Sequence, residues 1–213
     1  DTNMSFPPFF SAGPVVETVD PLAQLLGASD DGRIDYCYAD AVRLAGHSCP
    51  TVAGAFLMAR AALQALFPDA PAERGQVEVW MPAPMDHGTT GVIAQVLTLL
   101  TGAAADNGFQ GLGGRYARNG LLVFAGQASP GGVIFRRRDS GDAVAVELDA
   151  SLVPGNPNQR ALLGAIIQDV ASDAQKREFA EGWQERVRRT LLEVADDPRD
   201  GARGGGVKLW YRA

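Results

Sequence analysis

The stretch LAGHSCPTVAGAFLMARAAL, residues 44–63, decides how this chain folds. From Pro50 to about Phe67 the residues are apolar nearly all round, so the helix they form is one that other elements pack around. Its small residues Ala53, Gly54 and Ala55 allow close approach. Pro50 suits the first helical position, where its missing N–H would have no partner anyway. Gly46 closes a shorter helix over Tyr38–Leu44. Between the two helices stand His47, Ser48 and Cys49, in a chain with only two histidines and two cysteines.

Working outward, FPDAPAERG ends the central helix and QVEVWM (76–81) alternates as a strand does. PAPMDHGTT is a loop, and GVIAQVLTLLTG reads as a helix stopping near Gly102. After the glycine-rich AADNGFQGLGG come three β-rich runs, GLLVFAG, GVIFRRR and AVAVELDA. Short Gly, Ser or Asp turns separate them, as in an antiparallel meander. Helix, strand, helix and three strands predict an α+β fold with an antiparallel or mixed sheet and helices on one face, not a doubly wound sheet.

Two further helices follow, in NPNQRALLGAIIQDV and SDAQKREFAEGWQERVRRTLLEVA, the second opened by Ser172-Asp173. DDPRDGARGGG reads as a flexible break and VKLWYRA as a last strand returning to the sheet. This divides the chain into an N-terminal arm (1–35), a core (36–150) and a C-terminal helical extension packed on it (151–213). The arm's Phe and Pro residues suggest a strip lying on an apolar surface, a second copy of the chain being one such surface.

Length and composition bound the function. The 213 residues are enough for one sizeable domain, and 46% hydrophobic with 21% charged residues is ordinary globular usage. A net charge of −6 with dispersed acidic residues argues against a nucleic-acid surface, which needs clustered Lys and Arg. The one basic run, Arg136–Arg138, protects a strand end or offers a small anion site. No apolar run reaches membrane-spanning length, and no charged segment with an apolar one behind it opens the chain. The simplest compartment is the cytoplasm, unless a targeting segment has been removed. Two cysteines make no disulfide scaffold.

Chemistry concentrates between residues 37 and 87, which hold every histidine and cysteine. Cys49 falls at the start of a helix, where partial positive charge favours thiolate over thiol. Such a sulfur serves as a soft metal ligand beside an imidazole, or as a nucleophile or redox thiol. A metal needs at least three converging donors, and Cys37 and His87 are the other candidates beside His47 and Cys49. The plainer alternative is that a lone Cys is a small buried hydrophobe and a lone His a satisfied hydrogen-bonder. Asp86 can orient His87, act as a base, or cap the next helix. NGFQGLGGRYAR lacks the dinucleotide-binding glycine spacing. It reads as a loop whose Gln110, Arg115 and Tyr116 line a pocket, or as a flexible entry to the strands. No C-x-x-C-H segment is present for covalent haem, and non-covalent haem held by His or Cys stays open.

GHSCPTVAGAFLMARAAL, followed by a strand, GVIAQVLTLLTGA and three strands, resembles the FmdE-like family, named after one subunit of formylmethanofuran dehydrogenase, over roughly Tyr38 to Ala150. The resemblance implies an α+β domain and a metal, zinc or another transition metal, held through His47 and Cys49. The chain departs from the family pattern at Ala45, where a further His is common, at Thr51, where Gly follows Pro, and at Ala103, where a Cys stands. His87 or Cys37 could fill the vacant ligand position. The resemblance implies a metal-dependent enzyme or metal carrier acting on a small molecule, and no role in methanogenic formyl transfer follows from it. Two other readings stay open: a metal-free thiol enzyme using Cys49, and a non-catalytic homodimeric binding or assembly module.

Overall fold

The computed structural model describes residues 6–128, 130–194 and 207–212. Five helical elements of ordinary length follow a first short one: α1 (Pro21–Leu25), α2 (Tyr38–Ala45), α3 (Pro50–Leu66), α4 (Thr90–Thr101), α5 (Gln159–Ile167) and α6 (Asp173–Glu193). The strands are β1 (Val16–Val19), β2 (Arg33–Tyr36), β3 (Ala72–Glu73), β4 (Val77–Met81), β5 (Leu122–Phe124), β6 (Val133–Arg137), β7 (Ala143–Leu148) and β8 (Val207–Arg212). Helices and strands pack together as the expected α+β fold.

α3 is the axis of the molecule. Val52, Ala53, Ala55, Phe56, Ala59 and Ala62 are wholly buried, because the helix packs on α2, α4 and α6 as well as on β7 and the neighbouring strands. The small residues read from the sequence set its distance from the sheet. A Cβ on Gly54 would lie 2.3 Å from Leu148 Cδ2, so glycine lets α3 settle directly onto β7. The two glycines expected to end helices do so in the left-handed conformation, Gly46 after α2 (φ 76°) and Gly102 after α4 (φ 75°).

The main sheet has the order β5-β4-β6-β7-β8. Val77, Val79, Phe135, Val144 and Val146 are buried against the helices. On the other face Arg136 pairs with Glu78 at 2.8 Å and lies over the Trp80 ring at 5.4 Å. The helices therefore cover one face, and period-two alternation in β4 follows from that asymmetry. One expectation needs correction. The runs from Gly120 to Ala150 are not a meander: β5 pairs with β4 in parallel, and β6 takes β4's other edge antiparallel. The reason is α4, a crossover that returns the chain to the end from which β4 started and so makes a parallel partner. β7 and β8 continue the antiparallel series, so the last strand does return to the sheet.

The N-terminal segment covers the core, and it also builds a second sheet of order β2-β1-β3 that the sequence reading lacks. Phe10 is buried edge-on against Tyr38, with ring centroids 4.9 Å apart. Asp20 accepts the N–H groups of Leu22 and Ala23 to open α1. Its carboxylate also reaches Arg74 and Arg118, each at 2.6 Å, tying this segment to β3 and to the loop before β5. Ser172 opens α6 with a reciprocal capping pair, its Oγ accepting from Gln175 N–H while Gln175 Oε1 accepts from Ser172 N–H. The break expected at residues 196–206 lies outside the described residues. Among the described residues no helix is long and apolar enough to cross a membrane.

Candidate functional site

The turn between α2 and α3 is short because Gly46 reverses the chain and Pro50 begins a helix three residues after His47. His47 is exposed, and its Nδ1 is 3.1 Å from the Ala45 carbonyl. With Nδ1 donating there, Nε2 is the ring nitrogen that carries a lone pair. Cys49 is buried at the N-cap of α3 in extended backbone (φ −150°, ψ 166°). Its Sγ accepts the Val52 N–H at 3.4 Å, so the sulfur faces the positive end of a seventeen-residue helix.

Ser48 is the most heavily bonded residue of the turn. Its hydroxyl donates to Gln184 Oε1 at 2.9 Å and, having no second proton, accepts from Tyr38 OH at 2.9 Å. Its carbonyl accepts from Trp183 Nε1 at 3.2 Å and from Gln184 Nε2 at 3.1 Å. α6 therefore clamps the turn through two side chains, and α2 holds it through a third. Tyr38 is wholly buried, and burial pushes its phenol well above the ordinary value despite the bond to Ser48, so it stays a neutral donor.

Beside this turn opens a pocket of about 420 Å³. Its wall includes Cys49 and Met58 from α3, Ile93 from α4, Leu148 from β7, and Trp183 and Arg186 from α6. The lining is mainly apolar, with Arg186 and Glu147 as its two charged side chains; Arg186 Nε donates to the Val153 carbonyl at 2.9 Å. Segments far apart in the chain thus meet around one buried cysteine. A cavity of about 490 Å³ between α3 and the loop before β3 contains none of the four candidate donors.

Of those four, the fold places Cys49 alone in the pocket wall. His47 is its neighbour on the turn. Cys37 is half-buried at the start of α2, where its Sγ donates to Asp40 Oδ2 at 3.3 Å. His87 is exposed on the loop before α4, its backbone held by Pro84 O and Thr90 N–H. Among the described residues no three or more His, Cys, Asp or Glu side chains are grouped so as to hold a metal ion. Ala103, where the family pattern has a cysteine, is wholly buried in the core. Asp86 is exposed, and the N-cap of α4 is Thr89. Gln110 accepts from Asn119 Nδ2, while Arg115 and Tyr116 line a separate cavity.

Sequence reasoning missed the contribution of α6. A tryptophan on a helix otherwise rich in charge was the available signal, since such a side chain needs an apolar neighbour and an acceptor for its N–H. No protein-family model matches the chain, and no curated protein is detectably similar to it.

Proposed function

We propose that this protein binds a small, mainly apolar molecule carrying one anionic or polar group in the pocket beside Cys49, with the Cys49 sulfur as the reactive or ligating group of the site. The observation that carries this reading is the placement of a buried, helix-capping cysteine in the wall of a roomy apolar pocket. Arg186 at the same wall supplies a charge complementary to an acid group on the ligand. A thiol so placed acts as a nucleophile toward an electrophilic carbon or as a sulfur ligand. The test uses 1-anilinonaphthalene-8-sulfonate, an apolar probe with one anionic group. One probe should bind per chain with energy transfer from tryptophan that falls in Trp183→Phe, and Thr51→Trp, which fills the pocket, should abolish binding. Equal binding by wild type and Thr51→Trp refutes the reading.

A second reading keeps the metal implied by the resemblance to the FmdE-like family. It is favoured by the His47 ring, whose Nδ1 bond to the Ala45 carbonyl leaves Nε2 as the ligating nitrogen. His47 and Cys49 would supply two donors, and water or the bound molecule the rest. Elemental analysis of wild type beside His47→Ala and Cys49→Ala decides it: metal undiminished in both variants ends this reading. For assembly we propose a homodimer, supported by Leu163 and Ile167, exposed apolar residues one turn apart on α5, and by exposed Val170 just beyond it. Sedimentation showing only monomer at high concentration overturns it.

A further inference from the structure

Between β3, the start of β4 and the loop before β5, a second cavity of about 310 Å³ is lined by Arg74, Arg115, Arg118 and Arg138 together with Glu73 and Tyr116. It shares no lining residue with the pocket beside Cys49. Four guanidinium groups meet two carboxylates there, Glu73 in the wall and Asp20 behind it, in a chain whose net charge is −6. An excess of two positive charges gathered at one concavity of an acidic protein calls for an explanation.

The four arginines are not equivalent. Arg74 and Arg118 are fixed: they share the Asp20 carboxylate, and Arg74 also donates to the Leu99 carbonyl at 2.9 Å. One carboxylate between a buried guanidinium and a half-buried one leaves them short of negative charge. The buried Nε of Arg74 finds no acceptor among the described residues. Burial, followed by the neighbouring Arg74, disfavours the cationic form of Arg118, with Asp20 opposing. Arg115 and Arg138 are exposed at the rim; Arg138 donates to the Gly75 carbonyl at 3.0 Å and Arg115 lies over the Tyr116 ring at 5.0 Å.

The backbone is shaped around this cluster. A Cβ on Gly75, which has φ 88°, would lie 1.8 Å from Arg118 Nη1, so only glycine admits that side chain. Leu112 and Arg115 exchange backbone hydrogen bonds of 2.8 and 3.0 Å around Gly113 and Gly114, both with positive φ. Tyr116, not a glycine, is itself held at φ 62°. A left-handed non-glycine residue in a pocket wall is the kind of strain that persists where a site needs a side chain in one place.

We propose that this arginine cavity binds the phosphate group of a small phosphorylated molecule, with Arg115 and Arg138 closing on the oxygens and the Tyr116 ring lying against the remainder. Planar guanidinium forks match pairs of phosphate oxygens better than any other side chain. A volume of about 310 Å³ leaves room for more than a free ion. The proposal is independent of what occupies the pocket beside Cys49.

Isothermal titration of the full chain with inorganic phosphate and with phenyl phosphate tests it, against sodium chloride at equal ionic strength. Phenyl phosphate should bind once per chain and more tightly than inorganic phosphate. Arg115→Gln alone, at an exposed position that folding does not need, should weaken it about tenfold by removing one charge-assisted hydrogen bond. Arg115→Gln with Arg138→Gln should weaken it further, and Arg188→Gln, remote on α6, should change nothing. Equal affinity for both ligands would make the site one for the free ion and overturn the phosphorylated-molecule assignment. Binding no stronger than chloride, or unaltered in Arg115→Gln, overturns the site itself.

Discussion

Trp183 of α6 donates its indole N–H to the backbone carbonyl of Ser48, 135 residues earlier in the chain, at 3.2 Å. This bond, with one that Gln184 Nε2 donates to the same carbonyl and one that Gln184 Oε1 accepts from the Ser48 hydroxyl, makes a C-terminal helix responsible for the shape of a turn that the sequence places in the core domain. The turn in turn sets where Cys49 points.

Trp183→Phe keeps an aromatic ring against Phe179, whose centroid is 5.5 Å away, and removes the N–H. It should lower stability by about 1 kcal/mol, the ordinary cost of one hydrogen bond. Because the Ser48 carbonyl loses a donor, the turn should loosen and N-ethylmaleimide should modify Cys49 faster. Urea unfolding and mass-resolved alkylation read the two effects. A destabilised variant with an unchanged Cys49 rate would separate the clamp from the thiol.

Alkaline pH should weaken the fold through Tyr38. Its buried phenol ionises well above the 10.0 of a free tyrosine, so below pH 10 both folded and unfolded forms keep the proton. As pH rises past 10 the unfolded form alone ionises, and stability falls by up to about 1.4 kcal/mol per pH unit until the folded group also ionises. Tyr36, raised mainly by burial, adds in the same direction. Tyr38→Phe should therefore cost about 1 kcal/mol at neutral pH, through removal of the hydrogen bond to Ser48, and should flatten the fall above pH 10. An equally steep fall in the variant, measured by urea unfolding between pH 9 and 11, contradicts the assignment.

Asp20→Asn tests the buried ion cluster. The amide still offers an oxygen to the first turn of α1, but Arg74 and Arg118 lose their shared countercharge while their side chains remain 16% and 9% exposed. Breaking a buried pair from one side costs about 3–5 kcal/mol, and the loss should show as a lower urea midpoint at unchanged slope. A change within a few tenths of a kcal/mol would mean that water already screens these arginines.

Gly75→Ala should be more damaging than its size suggests, because it adds a methyl at φ 88° where Arg118 Nη1 would be 1.8 Å away. We expect a loss of at least about 1–2 kcal/mol from the backbone alone. In an Arg118→Ala background, which by itself loses the ion pair to Asp20, adding Gly75→Ala should cost only the part due to φ. Calorimetric melting of the two variants distinguishes these.

The sequence made the centre of the fold readable and its edges much less so. Gly46, Pro50 and the unbroken apolar run after it are local signals, and the α2 and α3 boundaries follow from them within a residue or two. β1 and β2 are four residues each, and β1 runs straight into Asp20-Pro21, so no periodicity accumulates before a helix starts. The parallel pairing of β5 depends on where a crossover returns the chain, which no short-range pattern encodes. At the site, the N-cap position of Cys49 was legible because it needs only the next few residues. The wall provided by Trp183 and Arg186 was not, because α6 buries few of its side chains and its polar sequence resembles a solvated helix. The arginine cavity is assembled from Pro21 and residues 73–76, 114–118 and 138. Arg115 and Tyr116 were legible as pocket-lining residues of the glycine-rich loop and Arg138 as part of a basic run, whereas Arg74 and Arg118 stand in no local pattern.

The most direct test of the account is modification of the folded protein by N-ethylmaleimide, with each cysteine followed separately by mass spectrometry, in the presence and absence of 1-anilinonaphthalene-8-sulfonate. If the pocket beside Cys49 is the functional site, Cys49 reacts in the native state and the probe slows that reaction, while modification of Cys37 is indifferent to the probe. Modification of Cys49 only under conditions that unfold the chain, or at a rate the bound probe does not alter, contradicts the account.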